Sequence, residues 1–197
     1  MLRMPLVAIA SLLISCTGCG SLFRASEPVS LTADWGAYER VLVESRNGDI
    51  DVRVSATNTG GGRQVRVSGS KWAGGGTMES AEELLAQLHV SAAPDVKDAK
   101  TLLVRLDYSE AMRSRNFGAD LNVELPAATA AEIRTSNGRV EARGLVRRVF
   151  ADTSNGNIVL ADIDGDAQVD TSNGGVRAER VRGTLGADTS NGSIACW

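Results

Sequence analysis

Asp152, Asp170 and Asp188 stand 18 residues apart, each directly before a Thr-Ser-Asn-Gly tetrapeptide. If the segments that hold them lie side by side, the carboxylates come within about 5 Å, the spacing of neighbouring strands. Like charges at that distance repel, and a divalent cation would relieve the repulsion. Asp162, Asp164 and Asp166 add acid nearby. The Gly-rich nonapeptide of calcium-binding β-rolls is missing, however. Arg residues are interleaved with the acids, so a solvated acidic edge is the competing reading. The Thr and Ser hydroxyls of the tetrapeptides can form an array for ordered water or sugars, or can satisfy backbone groups at a corner. Trp35, Trp72 and Trp197 are either sugar platforms or packing residues. His89 is the single histidine. A multi-His metal site is thereby excluded, and no His-activated nucleophile is signalled. The recurring carboxylates recur by repetition rather than by convergence on a groove. No catalytic residue and no cofactor are therefore assigned.

The elements that position these residues are repeats. The tetrapeptide begins at Thr135, Thr153, Thr171 and Thr189. A constant period marks a unit that stacks on copies of itself. Within each row the apolar positions fall two apart: Val140 and Ala142, Ile158 and Leu160, Val176 and Ala178, Ile194 and Cys196. This is strand alternation with one apolar face. A second pair follows later in the row, as in Val149 with Ala151 and Ala167 with Val169, and Gly165 and Gly183 suit the bends between. One row cannot bury its apolar face, whereas stacked rows join the apolar columns into a continuous core. Corners fall at Asn137-Gly138, Asn155-Gly156, Asn173-Gly174 and Asn191-Gly192, where Asn and Gly tolerate left-handed backbone and stacked Asn side chains can hydrogen-bond between rows. The reading is a mostly β fold, a parallel β-helix with 18-residue rows. Its alternative is an antiparallel β-meander of Asn-Gly hairpins, which would pair Thr153 with Ile158. Whole rows match in phase, including the Asp before each tetrapeptide, and this favours stacking.

Composition agrees. Aromatic residues make up 4% of the 197-residue chain and Gly numbers 21, as a thin Val/Ile/Leu/Ala core requires. A net charge of -3 with mixed signs gives no footprint for nucleic acid. At the N-terminus, Arg3 precedes the apolar run Met4 to Ile14, which is too short to span a bilayer. Leu13-Ile14-Ser15-Cys16 resembles a bacterial lipobox. The expectation is a signal peptide over residues 1–15, lipidation at Cys16 (Cys19 is the second candidate), a tether over 16–32 and one domain over 33–197. Thr17 is not an inner-membrane retention residue, which makes the outer membrane the expected location in a Gram-negative cell. The third cysteine, Cys196, falls in an inward column and reads as a small core residue.

Along the mature chain, Tyr38 to Val54 has the logic of a diverged first row, with its corner at Asn47-Gly48. Gly60–Gly62 and Gly74–Gly76 read as loops around a short strand from Gln64 to Ser68. A helix over about 77–88 follows from the spacing of Met78, Ala81, Leu84, Leu85 and Leu88, capped by Thr77 or by a box of Ser80 with Glu83. Strands near Leu88–Ser91 and Thr101–Tyr108 come next, then a polar loop from Ser109 to Gly118 with Arg113 and Arg115. Leu121, Val123 and Leu125 alternate up to Pro126.

The early SRNGDIDV segment, the single helix, the LNVELPAAT strand and the four TSNG rows resemble the bacterial "putative adhesin" family of envelope proteins. The resemblance covers about Ala33 to the C-terminus. It implies a right-handed β-helix or related solenoid, often lipid-anchored, with no catalytic residues to carry over. The implied function is a lipid-anchored cell-envelope protein with an adhesin-like or scaffolding role. A membrane anchor and an envelope protein or glycan would be its partners. Alternatives are a carbohydrate-binding or carbohydrate-active β-helix, and a periplasmic accessory or sensor subunit.

Overall fold

Strand alternation over most of the chain produces two open, mixed sheets whose strands are mostly parallel. A computed structural model describes residues 23–55, 64–127 and 129–197. The elements in chain order are β1 (Phe23–Asp34), β2 (Arg40–Glu44), β3 (Ile50–Val54), β4 (Gln64–Gly75), α1 (Met78–Ala86), β5 (His89–Pro94), β6 (Thr101–Asp107) and β7 (Phe117–Leu125), then β8 (Ala130–Asn137), β9 (Val140–Arg143), β10 (Val149–Asn155), β11 (Ile158–Ile163), β12 (Ala167–Asn173), β13 (Val176–Val181), β14 (Leu185–Asn191) and β15 (Ile194–Cys196). One sheet has eight strands in the order β1-β4-β7-β3-β9-β11-β13-β15, and the other seven in the order β14-β12-β10-β8-β2-β6-β5.

The repeats pair in parallel and in phase. Asp152 lies beside Asp170 and Thr153 beside Thr171 in one sheet, and Ile158 beside Val176 in the other. The hairpin alternative therefore fails in the repeats: Thr153 pairs with the next Thr, not with Ile158. Parallel pairing satisfies the backbone of every inner row on both sides, and it places equal side chains in columns. Val149, Ala151, Ile158, Leu160, Ile163 and Val169 are fully buried between the sheets.

Two rows are less visible in the sequence. β2 and β3 form the expected diverged row. β6 and β7 form another, in which residues 108–116 replace the Asn-Gly corner. Stacking order departs from chain order, because β2 lies between β6 and β8, and β3 between β7 and β9. The chain leaves the stack after β3, builds β4, α1 and β5, returns as β6 and β7, and then crosses to the far side of the first row.

Beyond the β6–β7 row the pairing turns antiparallel. β4 pairs with β7 and β1, and β5 pairs with β6. The segment placed in a tether up to residue 32 is thus largely strand, since Phe23–Asp34 runs alongside all of β4 and buries Ala25 and Val29. Its polar surface residues conceal the strand, because one face is solvated. β4 is also longer than its sequence suggests and passes through Gly74 and Gly75. These glycines are a close approach rather than a loop: a Cβ on Gly75 would lie 2.3 Å from Ser80 Oγ. α1 packs there on β4 and β1 through buried Ala81 and Leu85. Thr77 is its cap, as one of the two expected arrangements has it, and Ser80 is the reciprocal partner rather than the cap of a box with Glu83. At the opposite end of the helix, Lys71 Nζ donates to Leu88 O at 2.7 Å and pairs with Glu27, a cation where the helix dipole is negative.

Cys16, Cys19, the signal segment and the Gly60–Gly62 loop lie outside the described residues. Cys196 does occupy its expected column, beside Ala178. It is nevertheless exposed, because β15 has no neighbour on its outer side among the described residues.

Candidate functional site: a polar cleft beside an asparagine ladder

The Asn-Gly corners are the most regular part of the surface. Asn137, Asn155, Asn173 and Asn191 each donate from Nδ2 to Oδ1 of the Asn one row earlier, at 2.7–3.0 Å, starting from Asn47. The row built from β6 and β7 has no equivalent Asn, and the ladder ends there as Asn47 Nδ2 donates to Phe117 O at 2.6 Å. The glycines serve chiefly close stacking. A Cβ on Gly156 would lie 1.9 Å from Gly138 O, and one on Gly174 2.0 Å from Gly156 O. Positive-φ backbone, the expected reason for Gly here, holds at two corners, Gly48 and Gly138, with φ of 125° and 156°, and recurs at the tenth residue of the rows: Gly144, Asp162 and Arg180, with φ of 68°, 56° and 53°.

Most chemistry-bearing residues singled out in the sequence have structural partners. The hydroxyls of Thr153, Thr171 and Thr189 donate to the carbonyls of Gly138, Gly156 and Gly174. Thr153 and Thr171 are buried, so the Thr column is not a surface array. Asp162 is gripped by both ends of the Arg180 guanidinium, at 2.6 and 2.9 Å, which holds its carboxyl below its ordinary value. Asp164 pairs with Arg182, and Asp166 accepts from the Thr184 amide. Asp152, Asp170 and Asp188 do align, but on an exposed outer face where Arg134 precedes Asp152. No group of three metal-capable side chains occurs among the described residues. His89 is exposed at the start of edge strand β5. Trp35 is buried against Tyr38, Trp72 lies under the Arg24 guanidinium, and Trp197 is exposed beneath Arg177.

A recess with a volume of about 700 Å³ lies elsewhere, on the outer face of the seven-stranded sheet beside the corner. Its floor is a column of alternating charge across four strands. Arg105 of β6 stands beside Glu44 of β2, Glu44 beside Arg134 of β8, and Arg134 beside Asp152 of β10. Ser136 and Ser154 flank it. The insertion that replaces the corner of the β6–β7 row forms the wall, with Tyr108, Glu110 and Arg113. It is pinned by buried Met112, by a single 3-10 turn over Glu110–Met112, by Gly74 N donating to Asn116 O at 2.8 Å, and by Arg46 Nη1 donating to Arg113 O. Tyr108 packs its ring on Phe117 at 4.7 Å and remains 39% exposed. Sequence reading registers this insertion only as a polar loop. Arg113 and Arg115 were the available signal, and the missing Asn-Gly corner was the stronger one.

Three cleft arginines are paired: Arg105 with Asp107, Arg113 with Glu110, and Arg134 with Glu132. Arg46, whose guanidinium carbon sits 5.5 Å from the Phe117 ring centre, has no carboxylate within ion-pair distance among the described residues.

Comparison with solved structures supports the architecture. The chain is similar in fold to a "putative cell adhesion protein" from Clostridium sporogenes ATCC 15579, with a TM-score of 0.54 and 8% identity over 87% of this chain and 98% of that one. Weaker likeness extends to a "putative adhesin" from Bacteroides fragilis NCTC 9343, with a TM-score of 0.35 and 11% identity over 87% of this chain and 97% of that one. A "putative lipid binding protein" from Parabacteroides distasonis ATCC 8503 stands at a TM-score of 0.35 and 12% identity, over 86% and 96% of the respective chains. No family model matches the chain, and no curated protein matches it.

Proposed function

We propose that this chain is a non-catalytic binding protein of the bacterial cell envelope, adhesin-like in role, held by a lipid on Cys16. In this reading the body is a right-handed β-solenoid with 18-residue rows, closed at its N-terminal end by β1, β4, α1 and β5. The observation that carries the binding role is the pinned insertion at residues 108–116. It breaks an otherwise uniform stack and builds a recess at the break. Regular rows need no such insertion for stability, and loops fixed on a rigid scaffold are where binding residues concentrate. The Clostridium sporogenes protein, similar in fold, is described as one of cell adhesion, and the reading extends that role to this chain. Anchoring rests on the apolar run before Cys16. Among the described residues no helix is long and apolar enough to cross a membrane. Several acyl chains on one Cys would give stable attachment, where a single chain binds only marginally.

Metabolic labelling with a fatty-acid analogue tests the anchor. Label is expected in the wild type and in Cys19→Ala and absent from Cys16→Ala. Protease added to intact cells then reports the face, and cleavage of the body from outside is the expected result. A wild type without label would reject the anchor.

A further inference from the structure

We propose that the cleft beside the corner binds an acidic oligosaccharide, with a sugar ring on Tyr108 and a carboxylate on Arg46. The inference rests on the reading of the chain as an envelope binding protein and supplies its ligand class.

The floor explains the sugar. Arg105, Glu44, Arg134 and Asp152 present donor and acceptor groups in alternation at the spacing of neighbouring strands, about 4.8 Å. A hydroxyl both donates and accepts. A run of vicinal hydroxyls can therefore give protons to Glu44 and Asp152 while taking them from Arg105 and Arg134. A ligand without hydroxyls, anionic or cationic, would leave half of the column unpaired. Ser136 and Ser154 extend the same hydroxyl-matching surface along the corner.

The wall explains the ring and the acid. Tyr108 is fixed by its contact with Phe117, yet it lines the cleft and remains partly exposed. An aromatic ring with an apolar face and a polar tip suits the C–H face of a pyranose. Arg46 is the cleft guanidinium without an acidic partner, and its bond to the Arg113 carbonyl uses one edge only. The remaining donors form a fork that matches a carboxylate in two hydrogen bonds. A uronic acid places a carboxylate on the sugar ring itself, so both recognition elements are met by one residue of the ligand. The volume of about 700 Å³ falls within the range of small-molecule sites and leaves room for further sugars along the charged column. Because the wall is pinned by Met112, Gly74 and Arg46, little conformational freedom is lost on binding.

The test is calorimetric titration of the purified full-length protein with galacturonic acid tetrasaccharide, its monomer, and maltotetraose as a neutral probe of equal length. The expected result is binding of the uronate tetramer that exceeds the monomer and weakens with salt. Arg46→Gln and Tyr108→Ala should each weaken it by about tenfold or more, at unchanged circular dichroism, and Arg66→Gln on β4 should not alter it. Arg134→Gln gives a second reading of the floor that leaves the pinned wall intact, with a loss of the same order expected. Absence of heat with the tetramer overturns the proposal. So does equal affinity for maltotetraose, or wild-type affinity in Arg46→Gln, Tyr108→Ala and Arg134→Gln alike. The anchor is read separately: missing lipid label with intact uronate binding removes the envelope reading alone, and label without uronate binding removes the ligand class alone.

Discussion

At the scale of single residues, the corner glycines and the tenth-position residues separate two roles for glycine. Gly156 is required because of a carbonyl 1.9 Å from where its Cβ would be. Gly144 has room, with nothing nearer than 4.0 Å, but sits at a φ of 68°. Gly156→Ala should therefore cost about 3 kcal/mol or more through forced separation of rows, and Gly144→Ala about 1 kcal/mol through backbone strain alone. Chemical denaturation of both variants gives the comparison, and equal costs would contradict it. Thr153→Val keeps the shape but loses the hydroxyl bond to Gly138 O, for a predicted loss of about 1 kcal/mol. Asp162 makes a pH prediction. Its carboxyl is lowered from the ordinary 3.8, chiefly by the Arg180 hydrogen bond. The stability it adds is thus complete above the unfolded value and is lost as pH falls through the lower folded one. Melting of Asp162→Asn should differ most from wild type above pH 4 and converge with it in stronger acid. The difference at neutral pH should be small, because the pair is exposed.

Among elements, α1 shows what local signals decide and what they leave open. Its apolar spacing and Thr77 are enough to place it, and Thr77→Ala should destabilise the protein by about 1 kcal/mol, visible as a lower thermal midpoint. The repeat strands were equally legible, since period-two alternation and a constant row length fix both pleat and register. β1 was not, because its exposed face reads like linker and only its partner β4 identifies it. The β6–β7 row escaped for a related reason. Its two strands are separated by residues 108–116 instead of a tetrapeptide, so no period joins them, although both alternate. The cleft inherits that obscurity. Its floor comes from β2, β6, β8 and β10, whose neighbourhood is set by stacking order and not by sequence. Glu44 and Arg46 drew no attention beside a corner already explained by Asn47 and Gly48.

For the whole molecule, stability is expected to behave as a sum over rows and their interfaces. Removing residues 153–170 deletes one full row and leaves every column in register. The shortened protein should fold, with a β-type circular dichroism spectrum and a lower denaturation midpoint. Removing one residue fewer shifts the alternation downstream and sends apolar side chains to the solvent face, so that variant should fail to reach a cooperative transition. The crossed order of the first rows adds a kinetic consequence. Repeat rows meet partners 18 residues away, but Arg40 meets Thr101 at a separation of 61 and Asn47 meets Asn137 at 90. On a ribosome the N-terminal row emerges first and finds neither neighbour until much of the chain has been made. β2 and β3 then have bare edges through most of synthesis, a condition that favours mispairing with other nascent chains. The earliest-made row waits longest between its own synthesis and its enclosure, so a holding chaperone would be needed there and not at the repeats.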